Sequence, residues 1–518
     1  MRRSLPALAV ASMLIAHGAA LAQQPSTFIM LMNGDTLATE SVTRTAGHLD
    51  AELVSQRLGM RVRYAATLAA DGTMPRIDMW SYRGADTNGT HVTMQAQGDT
   101  MIVDLPGRTL RLPSRSGAIV YFNPSMALLE QAVLRGRTLG ASGSTEVPLF
   151  ESAGGAVTPL TVTWIGSDSA HLTLGGIAMN ASIGVDGRLT GMSIPAQNVH
   201  VVRVEGARLT TLAKPDYTAP SDAPYTAEEV TVQTKSGLKL TGTLTLPKAR
   251  PARGSPAVIT ITGSGTEERD ESIPGVTGYR PFRDIADTLG RRGIAVLRLD
   301  DRGAGGSDLG PRGATSADFA DDVRAGLAYL RTRPDVDGDR LALVGHSEGG
   351  MIAPMVAATD LKLRAIVLMA GPAHTGRAIL KYQQEYAADS MFHLSGTQRD
   401  SALRDMAGKL DSAAVAEPWI HFFLDYDPIA TAKRVKQPVL VLQGATDRQV
   451  TPEQAGELAA AFRAGGNKDV TMRAFPSTDH LFLADPVGNP SGYGRLPSKH
   501  VRADVLGTLT DWLVARLR

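Results

Sequence analysis

The chain has 518 residues, 43% of them hydrophobic, and this length exceeds one compact core, so two or three domains are expected. The 53 basic and 52 acidic residues give a formal charge of +1, which favours neither nucleic acid nor an anionic membrane as a partner. No cysteine occurs in the sequence, which excludes disulfides, thiolate nucleophiles and zinc–cysteine sites.

Residues 1–22 have the pattern of a secretory signal peptide. Two arginines precede a largely apolar run from Leu5 to Ala16, and Ala20-Leu21-Ala22 is a small-x-small cleavage site. A buried helix of a folded domain is the alternative, but the apolar run is short and ends at the cleavage pattern. We therefore expect an exported protein, periplasmic or extracellular. No other stretch is apolar enough to predict a membrane span.

Residues 23–213 predict a β-rich N-terminal domain, because short alternating runs are broken by turn signals such as Asp186-Gly187. One helical stretch, Pro124 to Leu134, interrupts the predicted strands, and the whole is interpreted as a curved sheet or partial barrel. No fixed-period repeat occurs, which argues against a propeller. Residues 214–229 contain three prolines among small and polar residues and predict a linker.

Residues 230–518 alternate apolar strands with helical patterns, which predicts an α/β fold with a mostly parallel sheet and helices on both faces. Catalytic residues of such folds lie at the carboxyl ends of the strands. The predicted strands are Ala257 to Thr262, Ile294 to Leu299, Leu341 to Val344, Leu363 to Ala370, Val439 to Gln443 and Val470 to Phe475.

A nucleophile elbow is predicted at Gly345-His346-Ser347-Glu348-Gly349, between an apolar strand and a helix. The turn strains the serine backbone, and the two glycines remove side chains that would collide. Ser347 is therefore the candidate nucleophile.

A serine hydroxyl needs a base that is itself oriented by a carboxylate. Two later strands end in Asp447 and His480, and the chain order Ser, Asp, His is that of an α/β-hydrolase. Asp447 is the predicted acid and His480 the predicted base, with Asp479 as an alternative acid. His346 is interpreted as a packing or hydrogen-bonding residue.

Two backbone amides are predicted to bind the oxyanion. One is the amide of Glu348, at the start of the helix after the elbow, and the other is that of Ser264, with Gly265 as the alternative, on the loop after the first central strand. The acidic segment Glu267 to Glu271 follows this loop. It is interpreted as solvated, with a substrate-ammonium site at Glu267 and Glu268 as the alternative.

The connection over residues 372–437 is far longer than an ordinary crossover and predicts a helical cap over the site. Its aromatic residues are expected to pack the cap onto the core, and Phe422 and Phe423 are tentative substrate-binding residues. The sequence around Asp300 to Ser307 lacks the third glycine of a dinucleotide loop and is interpreted as a packed turn. No metal pattern and no phosphate-binding loop occur, so neither a cofactor nor a metal is expected.

Five segments carry a family resemblance: LRLDDRGAGGS, LVGHSEGGMIAP, FFLDYDP, PVLVLQGATDRQV and STDHLF. In this order they resemble bacterial exported α/β-hydrolases of the carboxylesterase and serine aminopeptidase-like groups. The similarity covers residues 230–518 and implies a carboxylesterase-type reaction on short acyl esters. Prolyl oligopeptidases share the hydrolase fold but carry a propeller much larger than this N-terminal domain.

The expected function is cleavage of a small-molecule carboxylic ester through an acyl-enzyme. A serine aminopeptidase or dipeptidyl-type peptidase is the alternative, and a non-catalytic binding protein on a hydrolase scaffold is the third reading. The N-terminal domain could gate the cleft, touch the cell envelope or form a homo-oligomer contact.

Overall fold

The computed structural model describes residues 25–517, apart from residues 33–34, 56–59, 84–88, 141, 153, 207–214, 274–275, 312 and 392. The predicted signal peptide lies outside the described residues, as does Lys214 at the start of the predicted linker. Among the helices that are described, none is long and apolar enough to cross a membrane.

The N-terminal domain is one sheet in the order β8-β7-β6-β5-β4-β3-β2-β1-β15-β14-β13-β12-β11-β10-β9. Neighbouring strands are antiparallel except β9 and β10, which are parallel. Buried and exposed residues alternate along the strands, as expected where one face is covered. The strands are β1 Ser26–Met32, β2 Asp35–Arg44, β3 His48–Ser55, β4 Met60–Thr67, β5 Arg76–Arg83, β6 Thr90–Gln97, β7 Thr100–Leu105, β8 Arg108–Pro113, β9 Ile119–Tyr121, β10 Ser144–Glu151, β11 Val157–Trp164, β12 Ser169–Leu174, β13 Ile177–Ile183, β14 Leu189–Ile194 and β15 Val199–Glu205.

The sheet curves around one helix, α1, which spans Met126–Leu139. This helix contacts β2 and also β9, β10 and β11, at the far end of the sheet. Eight strand spacings separate β2 from β9 in the sheet order, which is roughly 38 Å in a flat sheet. A helix of this length is about 21 Å long and ~10 Å wide, so it can reach both only if the sheet bends. The predicted curved sheet agrees with this geometry.

A buried carboxylate holds the start of α1. Glu40 of β2 accepts hydrogen bonds from the backbone N–H groups of Met126 and Ala127, at 2.6 and 2.9 Å. The hydroxyls of Tyr64 and Ser125 donate to the other carboxyl oxygen at 2.6 and 2.7 Å. Burial raises the pKa of Glu40, although these four donors oppose that shift. The helix N-terminus therefore takes a buried acidic partner from a distant strand.

The second domain is built on one mixed sheet in the order β16-β17-β19-β18-β20-β21-β22-β23. The pairs β16–β17 and β17–β19 are antiparallel, and the remaining pairs are parallel. Its strands are β16 Tyr225–Gln233, β17 Lys239–Pro247, β18 Ser255–Ile261, β19 Ala295–Leu299, β20 Val336–His346, β21 Ala365–Met369, β22 Val439–Gly444 and β23 Val470–Phe475.

Helices cover both faces of this sheet, as predicted. Leu341 and Leu343 of β20 belong to the core beneath α3, α4 and α9, whereas Ala342 and Val344 belong to the core beneath α2 and α10. Four further helices form the insertion after β21, and one π-helical turn, Ala387–Met391, follows the first of them. The helices are α2 Pro281–Gly290, α3 Ser316–Thr332, α4 Glu348–Ala357, α5 Gly376–Tyr386, α6 Gly396–Ala416, α7 Pro418–Asp425, α8 Pro428–Ala432, α9 Glu453–Ala464 and α10 Ala503–Leu517.

The sheet begins earlier in the chain than predicted, because β16 starts at Tyr225, inside the segment interpreted as a linker. The residues before it also contact the second domain. The Tyr217 hydroxyl donates to Glu268 at 2.8 Å, and the Arg269 guanidinium lies 4.2 Å from the centre of the Tyr217 ring. Proline content alone indicated a linker, but the contacts of Tyr217 hold its first half against the second domain, and β16 includes its last residues.

Candidate active site

The turn at Ser347 has the backbone geometry of a nucleophile elbow. Ser347 is the single residue between β20 and α4, with φ 53° and ψ −117°, a strained conformation for a residue with a side chain. Its N–H donates to the carbonyl of Met369 on β21 at 2.9 Å. The hydroxyl therefore stands at the carboxyl edge of the parallel sheet.

The two glycines of the elbow are required by close backbone packing. A Cβ atom at Gly345 would lie 2.0 Å from the carbonyl oxygen of Gly349. A Cβ atom at Gly349 would lie 2.1 Å from the carbonyl oxygen of Ile261, at the end of β18. These contacts are with backbone atoms that cannot turn aside, so any larger residue would force the strands and helix apart.

Asp447 and His480 meet at the same edge. His480 Nδ1 lies 2.9 Å from Asp447 Oδ2, and both side chains are buried. The other Asp447 oxygen accepts from the N–H groups of Gln449 and Val450 at 2.8 and 3.0 Å. The alternative acid, Asp479, instead accepts from the N–H of Leu483 at 2.9 Å in its own turn, so geometry favours Asp447.

His346 connects the elbow to the segment that carries His480. Its Nε2 lies 2.9 Å from the backbone carbonyl of His480, and its Nδ1 lies 2.8 Å from Glu271. Burial lowers the pKa of His346, but the charge and hydrogen bond of Glu271, the His480 carbonyl and Asp447 together raise it above its usual value. His346 is therefore the hydrogen-bonding residue that the sequence indicated.

The segment around Glu271 is buried, so its interpretation as a solvated loop is wrong. Arg269, Asp270 and Glu271 are each 2% exposed or less. Each has a partner of opposite charge that is distant in sequence. Arg269 pairs with Asp300, Asp270 with Arg298, and Glu271 with His346. The spacing of residues within the segment could not reveal these partners. The signal in the sequence was the pair of charged residues at and just after the end of β19, Arg298 and Asp300.

The proposed oxyanion loop lies directly beside the nucleophile. A Cβ atom at Gly263 would be 3.4 Å from the Cβ of Ser347. The Gly263 N–H already donates to Glu271 at 2.8 Å, and Gly265 has φ 128°, which favours glycine. The amide of Ser264, with that of Gly265 as the alternative, stays the prediction for the second oxyanion donor, and that of Glu348 for the first.

One aromatic residue of the cap, Trp419, contacts the residue after the nucleophile. Trp419 Nε1 donates to Glu348 at 2.9 Å, and its ring stacks on Phe423 at 5.4 Å. Phe423 packs against Gly376 of α5, inside the cap, and Phe422 stacks on Tyr426 at 5.3 Å. The tentative substrate-binding roles of Phe422 and Phe423 stay predictions. Trp419 packs the cap onto the core, as expected of the cap aromatics, but its partner Glu348 could not be foreseen because spacing does not reveal the partner of an indole N–H.

Two acidic residues near the site, Glu267 and Glu268, differ in whether their carboxyl oxygens already accept hydrogen bonds. Glu268 accepts from Tyr217 and from the N–H groups of Asp270 and Ser272, at 2.8, 2.9 and 3.0 Å. Glu267 Oε2 is buried and has no hydrogen-bond partner in the described part of the chain. Burial and the nearby Glu271 and Asp301 carboxyls raise the pKa of Glu267 well above its usual range. Of the pair suggested for a substrate ammonium, only Glu267 has an unused oxygen.

Asp301 contacts both ends of the oxyanion loop. It accepts hydrogen bonds from the Thr262 hydroxyl and from the Glu267 N–H, each at 3.0 Å. Its neighbour Asp300 pairs with Arg269, and a Cβ atom at Gly305 would lie 2.1 Å from Asp300 Oδ2. The loop after β19 is thus a packed turn, as predicted. Within the described residues, no cluster of three or more His, Asp or Glu side chains could hold a metal ion.

Comparison with known proteins adds a family to this geometry. Residues 281–512 match the model of the prolyl oligopeptidase family. Esterase EstD of Thermotoga maritima is 27% identical over 314 residues, which cover 60% of this chain and 72% of the esterase. The hydrolase half of the chain belongs to the α/β-hydrolase serine hydrolases.

Other relatives of the hydrolase half include a peptidase. Dipeptidyl aminopeptidase BIII of Pseudoxanthomonas mexicana is 26% identical over 272 residues, 50% of this chain and 36% of that protein. A solved structure, esterase Pf2001 of Pyrococcus furiosus, aligns over 59% of this chain and 96% of its own, with 17% identity and a TM-score of 0.42. The N-terminal domain lies outside the family match, and its described strands form one continuous sheet rather than propeller blades.

Gly349→Ala should destabilise the protein by about 3 kcal/mol or more, because its Cβ overlaps the Ile261 carbonyl. Gly456→Ala is the matched control. Gly456 lies in α9 with no atom within 4 Å of an added Cβ, so that change should stabilise by ~0.5–1 kcal/mol. Denaturant unfolding measures both. Equal stabilities would contradict the packing argument.

Asp301→Asn tests the buried carboxyl. Burial raises the pKa of Asp301 to about 8, above the value of ~3.9 in an unfolded chain. The folded state therefore holds an extra proton between these values, and stability is lost as the pH rises towards 8. Asparagine has no such proton. The free energy of unfolding of Asp301→Asn relative to wild type should increase from pH 5 to about 8, by up to ~1 kcal/mol per pH unit, and then level off. Melting temperatures measured across this pH range should follow the same trend.

The control for this pH series is Asp339→Asn, whose side chain is 81% exposed. It should show no comparable trend. A constant difference between Asp301→Asn and wild type at every pH would contradict a protonated Asp301.

Proposed function

We propose that this serine hydrolase cleaves carboxylic esters with short acyl groups through Ser347, His480 and Asp447. The observation that carries the proposal is the buried His480–Asp447 hydrogen bond at 2.9 Å, at the sheet edge where Ser347 follows β20. The similarity to an esterase over 72% of that protein's length supports an ester as substrate.

Acylation follows from the tautomer that this hydrogen bond selects. Because Nδ1 of His480 donates to Asp447, Nε2 is the basic nitrogen. Nε2 takes the proton of Ser347 as Oγ attacks the ester carbonyl carbon. The N–H groups of Glu348 and Ser264 donate to the resulting oxyanion. The carbon–alkoxide bond then breaks, and His480 returns the proton to the leaving alcohol.

Deacylation repeats the same proton path with water as the nucleophile. His480 takes one proton from water, the hydroxide oxygen bonds to the acyl carbon, and the bond to Ser347 Oγ breaks as that oxygen regains the proton. The products are the carboxylic acid and free enzyme. Asp447 stays ionised throughout and stabilises the imidazolium.

A peptidase is the second candidate, and one observation favours it. Glu267 presents a buried carboxyl oxygen without a hydrogen-bond partner among the described residues, on the segment after the oxyanion loop. A substrate ammonium would pair with this group and ionise it. The relative that acts as a dipeptidyl aminopeptidase is consistent with that reading. Export remains a further proposal, supported by the pattern of residues 1–22.

Kinetics on three chromogenic substrates separate the two candidates. 4-Nitrophenyl butyrate is compared with an aminoacyl 4-nitroanilide and with its N-acetylated form. We expect rapid cleavage of the ester and no preference for the free amino group. Ser347→Ala should lower kcat for the ester by ~10⁴-fold or more with unchanged circular dichroism.

The opposite pattern would contradict the ester proposal and support the peptidase. It would be efficient cleavage of the free aminoacyl anilide, loss of that activity on N-acetylation, and a raised KM in Glu267→Gln. Retention of ester turnover in Ser347→Ala would rule out the nucleophile for either reaction.

A further inference from the structure

The side chain of Glu348, the residue after the nucleophile, is buried and accepts two hydrogen bonds. Only 2% of Glu348 is exposed, and its Oε1 accepts from the Ser316 hydroxyl at 2.6 Å and from Trp419 Nε1 at 2.9 Å. Its Oε2 is buried and has no hydrogen-bond partner among the described residues. The Ser316 and Trp419 donors therefore satisfy one of the two carboxyl oxygens.

These donors come from two separate parts of the hydrolase domain. Ser316 begins α3, and Trp419 lies on the cap helix α7. One carboxyl group thus connects the start of α4 with the body of the domain and with the cap.

The same residue has a backbone role in the proposed reaction. The Glu348 N–H is one proposed oxyanion donor, and the Ser264 N–H is the other. The Ser316 and Trp419 hydrogen bonds hold the side chain of Glu348, the residue whose N–H group is proposed to face the reacting carbonyl. Oxyanion stabilisation depends on donors that are held in position before the charge develops.

We infer that Glu348 is a positioning residue: its carboxyl group holds the Glu348 N–H oxyanion donor in place through Ser316 and seats the cap helix through Trp419. The inference rests on the proposed serine-esterase function. It assigns the Glu348 side chain no contact with substrate. Its loss should lower transition-state stabilisation more than substrate binding, whereas loss of the Trp419 donor alone should mainly weaken substrate binding under the cap.

Two substitutions at Glu348 separate hydrogen bonding from packing. Glu348→Leu keeps most of the volume and removes every acceptor. Glu348→Gln keeps one acceptor oxygen for Ser316 and Trp419. Relative to wild type, Glu348→Leu should lower kcat for 4-nitrophenyl butyrate by about 10²-fold with a smaller change in KM, and Glu348→Gln should recover at least tenfold of that loss.

An oxyanion probe distinguishes positioning from a general structural effect. A butyl trifluoromethyl ketone accepts Ser347 Oγ at its carbonyl carbon, and the serine proton passes to His480, which leaves an oxyanion in the hole. Its inhibition constant should rise in Glu348→Leu by about the factor by which kcat falls. Trp419→Phe, which keeps the stack on Phe423, should instead raise KM several-fold with a smaller effect on the inhibition constant.

Wild-type turnover is measured first, so that a failure of the proposed function can be distinguished from a failure of the positioning role. Absence of ester turnover in the wild type would reject the proposed function. Turnover in the wild type, with kcat and the inhibition constant unchanged in a folded Glu348→Leu protein, would reject the positioning role. If Glu348→Leu does not fold, Ser316→Ala serves in its place: a fall in kcat with a parallel rise of the inhibition constant supports the inference, and no change in either overturns it.

Discussion

The close approach of β18, β20 and α4 at two glycines is the constraint on which the active site depends. The strand cannot pass into the helix through Ser347 unless the residues two positions before and after it, Gly345 and Gly349, lack side chains. The cost is a strained backbone at the serine, and the surrounding parallel sheet holds that strain in place. The gain is a hydroxyl above the sheet edge beside the N-terminus of α4.

Each residue that flanks the nucleophile connects it to other segments. His346 contacts Glu271 and the backbone of His480, and Glu348 contacts the start of α3 and the cap. Few of these groups are exposed, so each unpaired donor or acceptor would carry a desolvation cost of ~1–3 kcal/mol. That cost makes the arrangement close to all-or-none. A site built in this way depends on residues far from the reacting atoms.

The sequence predicted strand ends better than it predicted partners. Ser347, Asp447 and His480 could be placed because each follows an apolar run, and the carboxyl ends of parallel strands share one edge. The buried charges at Arg269 to Glu271 could not be foreseen, since their partners lie on other strands. Tyr225 was assigned to a linker because nearby prolines outweighed a short alternating run.

The two domains differ in how much of their form could be predicted. Alternation identified a β-rich N-terminal domain, but not the order of its fifteen described strands. Nor could alternation show that Glu40 binds the start of α1, since that contact joins distant residues. In the hydrolase domain the motifs resemble those of a family whose topology is known. The function of the N-terminal sheet stays outside what either its pattern or its geometry assigns.

The central claim is that Ser347 forms a covalent acyl-enzyme with His480 as its base. Intact-mass spectrometry after reaction with a fluorophosphonate, followed by peptide mapping, tests it most directly. The account predicts one phosphonyl adduct per chain, located on Ser347, and labelling at least 10²-fold slower in His480→Ala. An adduct on another residue, or no adduct on folded wild-type protein, would contradict it.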